Sequence, residues 1–518
     1  MKGSIGVVVA ILCGVAALAL PGIVRADIGF QGPAYAAGTS GSPSGSKPES
    51  KLWWNDGFWW ASMFHPASNQ YRIFRLNLRP QTWSNTGVAL DPRPSSRADV
   101  LSVGNRLFVA SHKVQEPTVH DPTPSPDDST RLYRYSYNPA TNRYSQEGFT
   151  VIDAQRTEAL VIDHDSNGAI WATWVQQDPG GQHRVYVKKT SDNCVSGPFA
   201  NCAWTTAVEL DNQVSADDLS SLVRFGGNKI GVMWSDTSDT SPAAIAVLRF
   251  AFHVDGDAVN VWSPETVVSG SKAVDDHISL KADSVGGVYA VTKTKFTAAT
   301  NPGTRLHKRS PAGVWSTFMV SNASLGRTRP ILLLDQQHNR IRVFDGRTNG
   351  TTIYMKTSRL NAVSFPTGSL GTPVIQDVGG RLVNPTSTKQ NITNGTRQIV
   401  VATNPLTRRY WHGYQQIIPC INGTAGNNLL IGTNGNDVIC GLGGRDTIRG
   451  LNGNDRLAGG PGNDTLVGAA GRDTFVGGAG NDTIYSRDAL RELVSGGSGF
   501  DRAQVNRSDI RRSIERLL

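Results

Sequence analysis

Between residues 51 and 415, apolar and polar residues alternate in short runs, and no stretch keeps the period of an amphipathic helix. Runs such as RLFVASH, AIWATWV, KIGVMWS and QIVVATN are bounded by Gly or Asn, the signature of strands joined by tight turns. One order recurs: a turn, an alternating strand, a second turn and a second alternating strand. The turn anchors are Gly57, Gly104, Gly168, Gly227, Gly287, Asn339 and Gly395, 47 to 64 residues apart. An apolar run precedes most anchors, as in ALVI at 159–162 and ILLL at 331–334, and a polar-flanked strand such as TAVEL at 206–210 closes the unit. Units of this size with four strands are propeller blades, each covering its faces only against its neighbours. The pattern predicts an all-β fold: a seven-bladed β-propeller over 51–418, with a two-sheet sandwich as the competing reading. The seventh unit lacks a clear fourth strand, so the segment before Leu52 is expected to supply it and close the ring.

Glycine changes the picture beyond residue 418. Of 55 glycines, 20 lie in 421–500, which sets that segment apart from an ordinary globular body. There a nine-residue unit repeats in register, from GTAGNNLLI at Gly423 through GTNGNDVIC, GLGGRDTIR, GLNGNDRLA, GGPGNDTLV and GAAGRDTFV to GGAGNDTIY, with a detached GGSGFDRAQ at Gly496. Six residues of turn need glycine for positive φ and close backbone approach, and three residues of strand put the eighth position into a narrow core. Two units make one coil, so turns eighteen residues apart stack. Asp437, Asp455 and Asp473 should line one side, and Asp446, Asp464 and Asp482 the other. Stacked carboxylates repel, and a hard oxygen-seeking cation relieves the repulsion.

These units resemble the hemolysin-type (RTX) calcium-binding repeats. The resemblance implies a parallel β-roll over 419–506 holding several Ca2+ ions, with those aspartates as ligands. The turn glycines Gly432, Gly435, Gly441, Gly444, Gly450, Gly453, Gly459, Gly462, Gly468, Gly471, Gly477 and Gly480 would complete the shells through their carbonyls. Asn428 replaces Asp in the first unit, weakening that site. Asp501 sits 19 residues after Asp482, behind an expected helical insert at 486–495, and is a doubtful ligand. The tail 507–518, with Ile510, Ile514 and Leu517 at helical spacing, is expected to cap the roll or fray.

The N-terminus reads as a secretion signal over 1–26: Lys2, an apolar run over 5–20, Pro21, and small residues at the −3 and −1 positions before Asp27. No integral membrane anchor is expected, since the run is short for a span. Residues 27–50 read as a flexible Gly/Ser/Pro linker. Removing Lys2 and Arg25 lowers the net charge from +9 to +7. The positive charge is dispersed among aromatics without a basic run, so no nucleic-acid partner is expected. Four cysteines remain in an export route that permits disulfides, and local pairing of Cys194 with Cys202 and of Cys420 with Cys440 is the simplest connectivity.

The stretch RVYVKKTSDNC…ANCAWTTAVEL resembles the sialidase-like, BNR-type propellers. The family's Asp-box is not intact, and Ser310-Pro-Ala-Gly-Val-Trp315 is a degenerate trace, so the resemblance supports a fold rather than an activity. Asp163-x-Asp165-x-Asn167-Gly168 reads as a tight hairpin turn more readily than as a second calcium loop. Residues just before each innermost strand face the propeller channel, which places Asp99, Glu158, Asp217, Asp218, Asp276, His277 and Arg329 there. They would hold a metal or polar ligand, or act as general acid and base, unless they only line a hydrated channel. Sialidase-type chemistry would need Arg329 to meet Arg97 and Arg156. Trp53, Trp54, Trp59 and Trp60 offer a sugar-stacking platform, although alternation assigns at least two of them to the core. The chain is thus read as a secreted, extracellular or cell-surface, calcium-binding protein. Its propeller would bind an extracellular polysaccharide, glycoconjugate or surface protein. A secreted carbohydrate-active hydrolase or lyase and a structural surface component are the alternatives.

Overall fold

The computed structural model describes residues 28–36, 43–45, 48–78, 80–115, 119–237, 245–393, 398–415 and 420–518. The secretion signal at 1–26 and the anchor Gly395 lie outside them. Seven four-stranded antiparallel sheets form the propeller. Their innermost strands are Leu52–Asn55 (blade I), Ser96–Val103 (II), Val161–His164 (III), Ser220–Phe225 (IV), Ile278–Ala282 (V), Arg327–Asp335 (VI) and Val383–Thr386 (VII). The anchors mark the hairpin between the innermost and second strands, and Gly57, Gly104, Gly168 and Gly227 adopt the positive φ that such turns require. In blade III this turn is latched by its aspartate. The Asp165 carboxylate accepts from the backbone N–H groups of Asn167 and Ala169 and from the Trp171 indole, each at 2.9 Å. A calcium loop is not needed to explain these residues.

Ring closure comes from the N-terminal side. Strand Phe30–Ala34 pairs antiparallel with Arg409–Gln415 and is the outermost strand of blade VII. The stretch read as a flexible linker is therefore structured where it is described: it contributes that strand, and Pro43, Ser44, Gly45, Pro48 and Glu49 are buried. Gly/Ser/Pro composition carries no strand periodicity, and only the partner strand shows what this segment does. The propeller core lies between adjacent sheets. Trp53, Trp59 and Trp60 are in it, at most 1% exposed, so three members of the anticipated sugar platform are core side chains. The Cys194–Cys202 disulfide forms and is buried.

Beyond Cys420 the chain winds into two six-stranded parallel sheets. One runs Cys420–Asn422, Val438–Cys440, Arg456–Pro461, Thr474–Ala479, Leu493–Ser498 and Ile510–Arg512; the other runs Leu429–Ile431, Thr447–Asn452, Thr465–Ala470, Thr483–Tyr485, Arg502–Gln504 and Arg516–Leu517. Eighth positions stack in single file, with Ile439, Ile448, Leu457, Leu466, Phe475, Ile484, Val494 and Ala503 fully buried. One expectation fails here: the 486–495 insert holds no helix. The tail, expected to cap the roll or fray, adds the last strand to each sheet, and parallel pairing overrides the helical spacing of its apolar residues. The Cys420 side chain is outside the described residues; in backbone register Cys440 lies opposite Asn422.

Candidate functional sites

Three of the anticipated channel residues come together. Glu158, Asp217 and Asp276 precede the innermost strands of blades III, IV and V, and one carboxylate oxygen of each lies within 4.8 Å of the others. Glu158 and Asp276 are buried and Asp217 is exposed, so the cluster is open to solvent on one side. His277 Nδ1 lies 2.5 Å from Asp276 Oδ1, and Asp275 pairs with Lys293.

The other candidates have structural duties. Asp99 accepts from the backbone N–H groups of Ser50 at 2.8 Å and Ile162 at 2.9 Å and pairs with Lys389, tying blade III and two channel segments to blade II. Burial raises its pKa although Lys389 opposes the shift. Asp218 accepts from the backbone and hydroxyl groups of Ser215 and Thr237 and so caps its own strand entry. Arg329, at a positive φ of 52°, lines a small cavity with Arg347 and Arg381, whereas Arg156 pairs with Asp128 at 2.7 Å.

The channel itself is filled by chain. Glu49 is buried, with His112 Nε2 at 2.5 Å and the Leu160 N–H at 3.1 Å on one oxygen and Lys51 Nζ at 2.6 Å on the other. Burial pushes the Glu49 carboxyl up, but Lys51 and His112 outweigh it and hold it down at about 2. Val100 and Ser62 donate to the carbonyls of Ser50 and Lys51, and Leu52 donates to Ser387. From the other side, Lys281 donates to the Thr388 carbonyl and Asn391 to the Ala282 carbonyl, so the 386–391 segment packs against blade V. Burial, reinforced by Lys389, lowers the Lys281 pKa to about 7. Two packed segments with internal ion pairs thus enter the channel and leave a small cavity of about 20 Å³ lined by Glu49, Ser50, Lys281 and Thr388.

An open site lies on the propeller flank between blades III and IV. A groove of about 600 Å³ is lined by Glu209, Asp211, Trp234, Arg249, Asn260, Trp262 and Glu265, among others. Its two indoles are fixed: Trp234 donates to Asp211 at 2.8 Å and Trp262 to the Val259 carbonyl at 2.9 Å. Arg249 pairs with Asp236 at 2.8 Å while its side chain stays 40% exposed. This site escaped sequence reasoning because its walls come from two blades and its aromatics sit singly in their strands.

The roll presents a different kind of site. From Asp446 onward, each sixth-position acid accepts the backbone N–H of the sixth residue one coil earlier, whereas Asp437 accepts from Thr433. On one side Asp455 accepts from Asp437 and Asp473 from Asp455, both at 2.8 Å. On the other, Asp446, Asp464, Asp482 and Asp501 accept from Asn428, Asp446, Asp464 and Asp482, each at 2.8 Å. The second carboxylate oxygens of Asp446, Asp455, Asp464, Asp482 and Asp501 are buried without a hydrogen-bond partner. Each points at the first glycine of its own unit. A methyl group on Gly441, Gly459 or Gly477 would collide with that oxygen and with a carbonyl of the next coil. Buried oxygens and carbonyls around a space that only glycine leaves open fit a calcium ion in its oxygen-rich coordination. Burial, with the neighbouring acid adding, raises Asp473 and Asp482 to about 6, so the anionic ladder is disfavoured until a cation neutralises it.

Asp501, doubtful on its spacing, is fully buried and continues the ladder. Sequence reasoning also missed three acids: Glu492 accepts from Asp473, Asp509 from Glu492 at 2.9 Å and Glu515 from Asp501 at 2.7 Å. Each stands immediately before a strand, as the repeat aspartates do. That local rule would have found them where the ninefold spacing did not.

Residues 421–448 and 449–484 match the family described as RTX calcium-binding nonapeptide repeat, so the chain carries these repeats at its C-terminus. No curated protein matches the chain. Among solved structures it is similar to a Penicillium chrysogenum alpha-L-arabinanase complexed with arabinobiose, at 10% identity and a TM-score of 0.40, covering 65% of this chain and 98% of that one. It is similar also to an ulvan lyase, at 9% identity and a TM-score of 0.47, covering 75% and 96%. A Hadza microbial sialidase aligns at 12% identity with a TM-score of 0.38, covering 72% and 75%. These are likenesses of fold at low sequence identity.

Proposed function

We propose that the protein is a secreted calcium-binding protein whose propeller is a binding module for an extracellular polysaccharide or glycan-bearing surface. The observation that carries the calcium part is the ladder of buried acids whose second oxygens face a glycine-lined space. Asp437, Asp446, Asp455, Asp464, Asp473 and Asp482 are its ligands, with the turn-glycine carbonyls beside them. The flank groove supports the binding part: the partly exposed Trp262 indole, fixed by its hydrogen bond and packed over the buried Trp234 layer, a half-exposed guanidinium and the exposed Asn260 amide offer apolar surface and hydrogen bonds of the kind a sugar uses. Retention of the calcium-loaded protein in gels carrying a panel of neutral and acidic polysaccharides tests it. Retarded migration that Trp262→Ala relieves is the expected result, and equal migration in every gel would remove the glycan reading.

One observation favours a second reading, a carbohydrate-active enzyme. Glu158, Asp217 and Asp276 stand close enough to act as general acid and base. Turnover of a polysaccharide that Asp276→Ala abolishes would establish it, and unchanged turnover would exclude that residue. Secretion is tested by the exported product, whose N-terminus should be Asp27.

A further inference from the structure

Glu158, Asp217 and Asp276 bring blades III, IV and V to one place, and blade V adds an imidazole there. Its approach to the innermost strand Ile278–Ala282 reads Asp275-Asp276-His277. One donor atom of each, two carboxylate oxygens and a ring nitrogen, lies within 4.8 Å of the others. Asp276 belongs to both triads, so donors from three blades gather around one carboxylate. The blade V triad is buried, with Asp275 7%, Asp276 6% and His277 7% exposed.

His277 separates this cluster from a plain patch of acids. Among the described residues neither of its ring nitrogens makes a hydrogen bond: Nδ1 stands 2.5 Å from Asp276 Oδ1, and Nε2 has no partner. Three other buried imidazoles of the propeller are satisfied on both nitrogens. His112 bonds the Thr157 carbonyl and Glu49, His307 bonds Thr292 and Thr317, and His412 bonds Trp83 and Gln81. A buried ring nitrogen without a partner is costly, and a metal ion that takes its lone pair removes the cost. Charge points the same way. Asp275 pairs with Lys293, and Glu158, Asp217 and Asp276 add three further carboxylates that repel one another until a cation stands among them.

We infer that Asp275, Asp276 and His277 form a divalent-metal site in the propeller, for a first-row ion such as zinc that accepts nitrogen and oxygen together, with Glu158 and Asp217 adding negative charge beside it. Donors around an ion bound at about 2.0–2.2 Å stand about 3–4 Å apart, so closing the triad asks for side-chain shifts of about 1 Å. The imidazole selects zinc-like ions over calcium and magnesium, which prefer oxygen alone. Three protein ligands leave a fourth position for water or another oxygen ligand, and the exposed Asp217 marks the side from which it would enter. The site is distinct in kind from the roll, since residues 421–518 contain no histidine. It needs neither the calcium reading of the roll nor the glycan reading of the flank groove.

The test is zinc chloride titration of the full-length protein by calorimetry, in excess calcium chloride so that the acids of the roll are supplied with their own ion, on wild type and His277→Gln. Wild type should take up one zinc ion per chain in a tight step, and His277→Gln should weaken that step by about tenfold or more. A wild-type chain without such a step, or a step that His277→Gln leaves unchanged, overturns the site. X-ray absorption of wild-type protein loaded with one equivalent of zinc keeps the test decisive if His277→Gln fails to fold. Imidazole scattering in the zinc shell is the expected result, and a shell of oxygens alone overturns the inference.

Discussion

In the propeller, Glu49 is buried with Lys51 on one oxygen and His112 on the other; in the roll, Asp464 is buried as deeply with a backbone N–H on one oxygen and no partner on its second. The same contrast holds more widely. Asp99 has Lys389, Asp335 has Arg342 and Asp91 has Arg93, whereas the roll stacks acid upon acid and leaves its arginines outside. The propeller therefore carries its own counter-ions and closes a large apolar core, while the roll has one buried apolar side chain per nine residues and a charge deficit that calcium would fill. One module should be indifferent to calcium and the other dependent on it.

The largest expected effect breaks the molecule along this line. In calorimetry, chelation should abolish the unfolding transition of the roll and leave that of the propeller in place; a single transition that shifts as a whole would merge the two modules. Next, Glu49→Gln removes the counter-charge of a buried lysine and should destabilise the propeller by about 3–5 kcal/mol, equally with and without calcium. Calcium dependence of that loss, read from denaturant midpoints, would contradict internal pairing.

A pH effect should follow in the propeller. Burial holds His307 and His412 at about 3, against an ordinary value of 6.5. His412 is neutral for a visible reason: its Nδ1 accepts from the Trp83 indole at 3.2 Å, so its proton sits on Nε2 facing Gln81. Unfolded histidines take up protons below pH 6.5 and these two do not, so propeller stability should fall as pH drops from 6.5 towards 3. A flat midpoint over that window would remove the histidines from the account. Smaller still, Asp464→Asn should cost about 1–3 kcal/mol in calcium and nothing in chelator. Trp262→Ala should weaken glycan retention and, because the indole packs against Trp171 and His253, cost about 1–2 kcal/mol of stability.

Much of this was legible in the sequence because two periods are strong. Ninefold glycine and aspartate spacing reports the roll coil by coil, and turn anchors with alternating strands report the blades. Position just before an innermost strand was enough to bring Glu158, Asp217 and Asp276 to one place. Asp99 and Asp218 shared that position but are consumed by backbone N–H groups that no spacing reveals. The 27–50 segment was opaque because strand Phe30–Ala34 is defined by Arg409–Gln415, nearly four hundred residues away, and Glu49 by His112 and Lys51. Glu492, Asp509 and Glu515 were missed because insertions and deletions shift the period, although stacking tolerates them.

Hydrogen exchange of the full-length protein, compared in calcium and in chelator, tests the contrast most directly. The account predicts that amides of 429–517 lose protection in chelator while those of blades I to VII keep theirs. Equal protection of the roll in both conditions would show that its buried acids are tolerated without a cation, and would contradict the account at its centre.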